Sequence, residues 1–193
     1  MTGNAPSAEQ ATNSAGGPRR AAPSYRDVLR PGRLNGPIGA PGPEDMREII
    51  SAYQEAVEET VVRFGGFVAK YRGDGVLVYF GYPRAHEDDA ERAVRAGLEL
   101  VAAVGGLRTH AALRTRVGIA IGLVVVGDLV GSGASQEQAI VGDTPNLAAR
   151  WQGIAEPNSI VIDERTRRLV GSLFELEDLG PQDVKGISGP LRA

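Results

Sequence analysis

The chain contains no cysteine. Disulfides and thiolate metal sites are therefore excluded, and a cytoplasmic location is expected. Histidine is almost absent. His86 and His110 are the only two, and neither has a partner at ligand spacing, so both read as surface residues. No apolar run reaches the length of a membrane span, and no positive region followed by an apolar stretch opens the chain. Neither a membrane location nor a secretory signal is expected. A strong charge of one sign is also lacking: 21 Lys and Arg against 24 Asp and Glu leave a net charge of -3. No broad basic field exists for nucleic acid. The Walker lysine loop, the dinucleotide fingerprint, zinc spacing and the nucleophile elbow are missing, and there is no internal repeat.

What is present suffices for one domain. The 193 residues are 42% hydrophobic and 23% charged, an ordinary globular balance. Residues 1–43 stand apart. Seven of the 12 prolines fall there, among Gly, Ala, Ser and Asn. Five arginines against Glu9 and Asp27 give this stretch +3, so the remainder carries -3 minus +3, or -6. Such a segment cannot offset its ordering entropy, and residues 1–43 are expected to form a disordered tail. The domain is expected over 44–193.

Within it, apolar residues at Met46, Ile49, Ile50, Tyr53, Val57, Val61 and Phe64 have helical spacing, ended by Gly65-Gly66. FVAKYRGDGVLVYF places two β-rich runs around an Asp-Gly turn, a hairpin signal. A second helix fits 87–104. Strands are expected over 115–121 and 123–127, meeting near Gly122. Thr144 as N-cap and Pro145 in the first turn open a third helix, running to about Ile154. SIVID reads as a strand, ERTRRLV as a short helix and FELEDLG as another strand. The order predicts an α+β sandwich, with helices on one face of a mostly antiparallel sheet.

Several residues could carry chemistry. Asp74 lies at a hairpin tip between two glycines, where a carboxylate suits Mg²⁺; Asp-Gly is equally the turn a hairpin demands. Lys70 ends the incoming strand and alone reads as an exposed lysine. Asn146 and Arg150 are an i, i+4 pair on one helix face near a helix start, where backbone N–H groups and a guanidinium favour phosphate. An Asn there also reads as a cap or surface residue. Lys185, in a Val-Lys-Gly turn, alone reads as solvated. Trp151 reads as packing.

Taken together, GGFVAKYRGDGVLVYFGYPRAHEDDAERAVRAGL, RVGIAIGLVVVGDLVGSGASQEQAIVGDTPNLAAR and DLGPQDVKG resemble bacterial class III adenylate/guanylate cyclase domains. The subtype resembled is the one joined to ATPase/tetratricopeptide-type regulators. The resemblance covers about 43–193. It implies a ferredoxin-like α/β sandwich that works as a dimer with active sites at the interface. It also implies conversion of ATP to cyclic AMP and pyrophosphate with two Mg²⁺ or Mn²⁺ ions, in intracellular signalling. By this resemblance Asp74 is a metal ligand, and Lys70 reads the purine. Ala139 fills the second base-reading position, where a polar residue is usual, which leaves GTP open beside ATP. Asn146 holds the ribose, Arg150 stabilises the reacting phosphate, and Lys185 contacts the terminal phosphates.

The family begins with a strand that carries a first metal aspartate. RDVLRPGRLNGPIGAPG shows no apolar strand of suitable length, and RDVLRPG is a poor match. The first central strand and the metal-ligand aspartate it carries, the partner of Asp74, are therefore expected to be missing, as is a final strand after the chain's last residues. The domain is expected to be incomplete at both ends and impaired alone. The competing expectations are a catalytically inactive pseudo-cyclase, serving as a nucleotide-binding or dimerisation module that pairs with itself or another cyclase domain, and a poorly folding fragment.

Overall fold

The computed structural model describes residues 22–31, 42–72, 75–109, 112–130, 137–141, 143–182 and 191–192. Helix α1 spans Pro43–Arg63. Pro43 occupies the first turn, and Glu44 and Asp45 complement the helix dipole there. The Asp45 carboxylate accepts the Gly42 N–H at 3.1 Å. Strands β2 (Phe67–Arg72) and β3 (Gly75–Tyr79) form the hairpin that Asp-Gly announces. Helix α2 spans Asp89–Gly105 and strand β4 Leu113–Gly122. Strands β5 (Val125–Val130) and β6 (Glu137–Val141) pair with each other. Helix α3 runs over Thr144–Ile154, β7 over Ser159–Ile162 and α4 over Glu164–Val170. Two short strands, β8 (Pro181–Gln182) and β9 (Leu191–Arg192), pair near the end.

The expected loss of the first central strand is overturned. Strand β1, Ala22–Pro31, lies in the middle of a five-stranded sheet of order β2-β3-β1-β4-β7. It runs antiparallel to both neighbours, with Asp27 opposite Val76 on β3 and Val117 on β4. Residues 22–31 thus leave the stretch expected to be disordered; residues 1–21 and 32–41 lie outside the described residues. The sequence hides this strand because its apolar run is short and charged residues interrupt it. Its ladder is supplied by two strongly β-forming neighbours, whose inner N–H and C=O groups need partners. Pro23 and Pro31 fall near its ends, where a missing donor costs least.

Three smaller expectations also change. β5 does not extend a β4 hairpin within the main sheet, because β1 and β7 already occupy both edges of β4. FELEDLG forms no strand: residues 175–180 have no ladder partner, and Leu176 and Leu179 are exposed. Thr144 is the first residue of α3, and Asp143 takes the cap position without a side-chain hydrogen bond.

The α+β sandwich is as expected, but its helices are not confined to one face, because the small residues Gly118 and Ala120 open the second face of β4 to α3. Helices α1, α2 and α4 cover one face. There Val57, Val61, Leu100, Val104, Val117 and Ile119 form the main core, fully buried. A smaller cluster of Ala120, Ala148, Trp151, Ala155 and Val161 seats α3 on the other face. The period of apolar residues on α1 and α2 is what turns one stripe of each helix to the sheet.

Asp163 ties β7 to α4. Its buried carboxylate accepts the Thr166 N–H at 2.8 Å and also the Thr166 hydroxyl. Burial raises its pKa above the ordinary carboxylate value, and the Thr166 hydrogen bonds offset part of that rise. The folded state therefore binds the Asp163 proton more tightly than the unfolded chain does. That contribution to stability is present below the ordinary aspartate range and is lost as pH rises through the raised value. Asp163→Ala should cost about 1 kcal/mol through loss of the cap. Asp163→Asn keeps an acceptor oxygen and should flatten the decline in stability between those two pH values. Urea midpoints measured across that window check both outcomes.

Candidate active site

Helix α3 lies against β4 and β1. Thr144, Ala148, Trp151 and Gln152 turn inward and are buried, Asn146 is exposed, and Arg150 is half-buried. The helical period therefore puts Asn146 and Arg150 together on the outward face, as the i, i+4 spacing predicts. Among the described residues neither side chain takes a hydrogen bond or ion pair. Pro145 has no N–H to satisfy, and no side chain caps this end. The Leu147 N–H is used by the Asp143 carbonyl at 2.9 Å. The start of α3 is therefore an electropositive end on the same helix as the Arg150 guanidinium, a setting that suits phosphate.

The fit of helix to sheet is unusually close. A Cβ on Gly118 of β4 would lie 2.1 Å from the Ala148 carbonyl oxygen and 2.3 Å from the Gln152 nitrogen. Only a residue without a side chain lets the α3 backbone rest directly on the strand. The sequence shows these glycines, but nothing local says that a helix will cross them.

The β1–β3 register relates the strand that carries Asp27 to the rung that closes the turn of Asp74. Asp74 lies in the β2–β3 turn, outside the described residues. The rung that closes that turn pairs Arg72 with Gly75, and Gly75 stands opposite Val28 of β1, next to Asp27. Aspartate carboxylates are the hard-oxygen donors that Mg²⁺ or Mn²⁺ takes. Among the described residues no group of three or more His, Asp or Glu gathers elsewhere as a rival site. Asp27 is the residue that sequence reasoning discarded. The signal was a single aspartate within the β-compatible run YRDVL, too short to stand alone.

Lys70 is half-buried on β2, paired with Leu77 just after a bulge between Val68 and Lys70. Ala139 sits on β6 between Gln138, paired with Leu129, and Ile140, paired with Val126. Lys185 lies outside the described residues. Strand order keeps these groups apart. Lys70 is on the edge strand β2, three strand spacings from β4, or about 14 Å across the sheet. Within one chain the structure puts Asn146 and Arg150 on one face of α3 and pairs the strand of Asp27 with β3, while Lys70 stands on the edge strand β2, two to three strand spacings from the strands that α3 covers. Among the described residues no helix is long and apolar enough to cross a membrane.

The profile of the family "Adenylate and Guanylate cyclase catalytic domain" matches residues 40–192. An uncharacterized protein of Rhizobium meliloti (strain 1021) is 33% identical over 150 residues, covering 76% of this chain and 14% of the relative. Adenylate cyclase 1 of the same organism is 29% identical over 157 residues, covering 77% of this chain and 24% of that protein. The chain thus spans a quarter or less of the length of these relatives. The guanylate cyclase domain of RhGC from Catenaria anguillulae, solved in complex with GTP, superposes with a TM-score of 0.80 at 22% identity, covering 90% of this chain and 94% of that one. That likeness shows a shared fold. With its profile match over most of its length, this chain belongs to the adenylate and guanylate cyclase catalytic domain family.

Proposed function

We propose that the domain converts ATP to cyclic AMP and pyrophosphate, as a dimer of two such domains. The ribose 3′-oxygen would attack the α-phosphorus and lose its proton as the P–O bond to the departing pyrophosphate breaks. The observation that carries this reading is the central strand β1, which sets Asp27 beside the turn that bears Asp74. One reason for expecting impairment, a missing strand, no longer applies; in this reading Asp27 supplies the carboxylate expected to be absent.

Each residue then has a role. Asp27 and Asp74 would hold divalent cations, which supply charge neutralisation at the phosphates when bound. Arg150 presents a planar fork to the oxygens of the reacting phosphate, where charge builds in the transition state. Asn146, one turn earlier on the same face, would hold the ribose in line for attack. Lys70 would read the purine edge and Lys185 the terminal phosphates. Ala139 has no hydrogen-bonding side chain and makes no choice between purines. ATP is favoured because the adenylate cyclase of Rhizobium meliloti is similar along 77% of this chain. The sheet order supports a site shared by two chains, because Lys70 lies on the edge strand β2, two to three strand spacings from the strands β1 and β4 that carry α3 with Asn146 and Arg150.

The test is cyclic nucleotide formation by the purified chain with Mn²⁺ and either ATP or GTP, beside Asn146→Ala. The expected result is cyclic AMP from ATP, reduced by about a hundredfold to a thousandfold in the variant, as when one preorganised transition-state donor is removed. A folded protein that forms neither product would favour the nucleotide-binding, inactive alternative.

A further inference from the structure

The start of α3 is held at one point that the roles above leave unused. The Thr144 side chain is buried, and its hydroxyl donates to the Leu123 carbonyl at 3.3 Å. The same hydroxyl oxygen faces Gly122, the last residue of β4. A Cβ there would fall 2.2 Å from Thr144 Oγ1 and 3.3 Å from both its Cβ and its Cγ2. Thr144 is therefore wedged between the end of a central strand and the chain that leaves it. It stands two residues before Asn146. The cap residue Asp143 contributes no side-chain hydrogen bond, so the wedge is the side-chain anchor of this helix end.

We propose that Thr144 and Gly122 are positioning residues, a pivot that sets the height and rotation of α3 on the sheet and hence the placement of Asn146 and Arg150. The catalytic consequence rests on the cyclase reading; the pivot itself does not. A rigid helix transmits a displacement at its first residue to the next turn, and a shift of about 1 Å at reacting groups can cost on the order of a hundredfold in rate. Thr144 touches no substrate in this scheme and acts only through the helix.

The chain carries its own reporter. Trp151 is the single tryptophan. It lies on α3, 1% exposed, packed against β4 and β7 through Ala120 and Val161. Its emission reports the seating of α3 whether or not the protein turns over nucleotide. Three variants make the test: Gly122→Ala, Thr144→Val, and Gly122→Ala combined with Thr144→Ala. All are measured at a temperature where each is folded.

Gly122→Ala should shift Trp151 emission to the red and lower kcat by about tenfold to a hundredfold with little change in KM, because α3 acts on the transition state. The double variant removes the colliding oxygen and methyl and should recover both signals. Thr144→Val keeps the shape but loses the hydroxyl. It should lower kcat while the melting temperature holds close to that of the parent, which a purely structural role would not produce. Unchanged emission and kcat in Gly122→Ala, or a double variant no better than the single, would overturn the pivot. If the parent chain turns over neither ATP nor GTP, the cyclase reading fails. The emission of Gly122→Ala and its recovery in the double variant still decide the pivot.

Discussion

Asp27→Asn should reduce cyclic AMP formation by at least about a hundredfold while leaving the protein folded. The substitution keeps size and hydrogen-bonding capacity but removes the charge that a hard divalent cation requires. Positioned cations contribute several kcal/mol of transition-state charge stabilisation in phosphoryl chemistry, and a rate factor of a hundred is only about 2.7 kcal/mol. The substitution lies on a central strand between β3 and β4, so circular dichroism and a melting curve must accompany the assay. Asp74→Asn should give a loss of the same order. The two together should lose little more than either alone, since both act on one metal centre. Raising Mn²⁺ should restore part of the activity in either single variant if the lost charge acts through metal affinity. An Asp27→Asn protein with parental activity would show that β1 serves only as a ladder partner.

Gly118→Ala should be the most damaging single substitution for stability. The added Cβ would meet backbone atoms of α3 at 2.1 and 2.3 Å, and backbone cannot rotate aside as a side chain can. The helix must lift or the strand must bend, and either outcome opens the packing around Trp151 and Ala148. Overpacking of this kind costs about 3 kcal/mol or more. For a chain of this length that is a fall of about 6–12 °C in melting temperature. Activity should fall further than stability does, because the lifted helix carries Asn146 and Arg150. A melting temperature within a degree of the parent would show that α3 is not seated on Gly118. Gly153, on the outward side of the same helix, has open space around its Cα. Gly153→Ala is the matched control and should be neutral or slightly stabilising.

The two predictions separate what the chain announces locally from what it acquires by folding. The sequence by itself determined the helices of 43–63 and 89–105, through apolar residues that recur with helical period. It determined the β2–β3 hairpin through Asp-Gly between β-rich runs, and it placed Asn146 and Arg150 on one face through simple spacing. These features depend on neighbours within a few residues, so local chemistry suffices to specify them.

The tertiary structure alone decided the rest. APSYRDVLRP has too few apolar residues to declare itself a strand; it becomes one because β3 and β4 present unpaired ladder groups on either side. The same cause runs in reverse for FELEDLG, whose alternating pattern reads as a strand but which has no ladder partner among the described residues and stays irregular. The role proposed for Asp27 as a metal ligand depends on a register with β3, a contact between residues far apart in the chain. The meaning of Gly118 and Gly122 depends on a helix that begins more than twenty residues later. Side-chain period is fixed by the backbone of one segment. Ladder pairing and helix seating are fixed by surfaces that exist only once the other segments have folded.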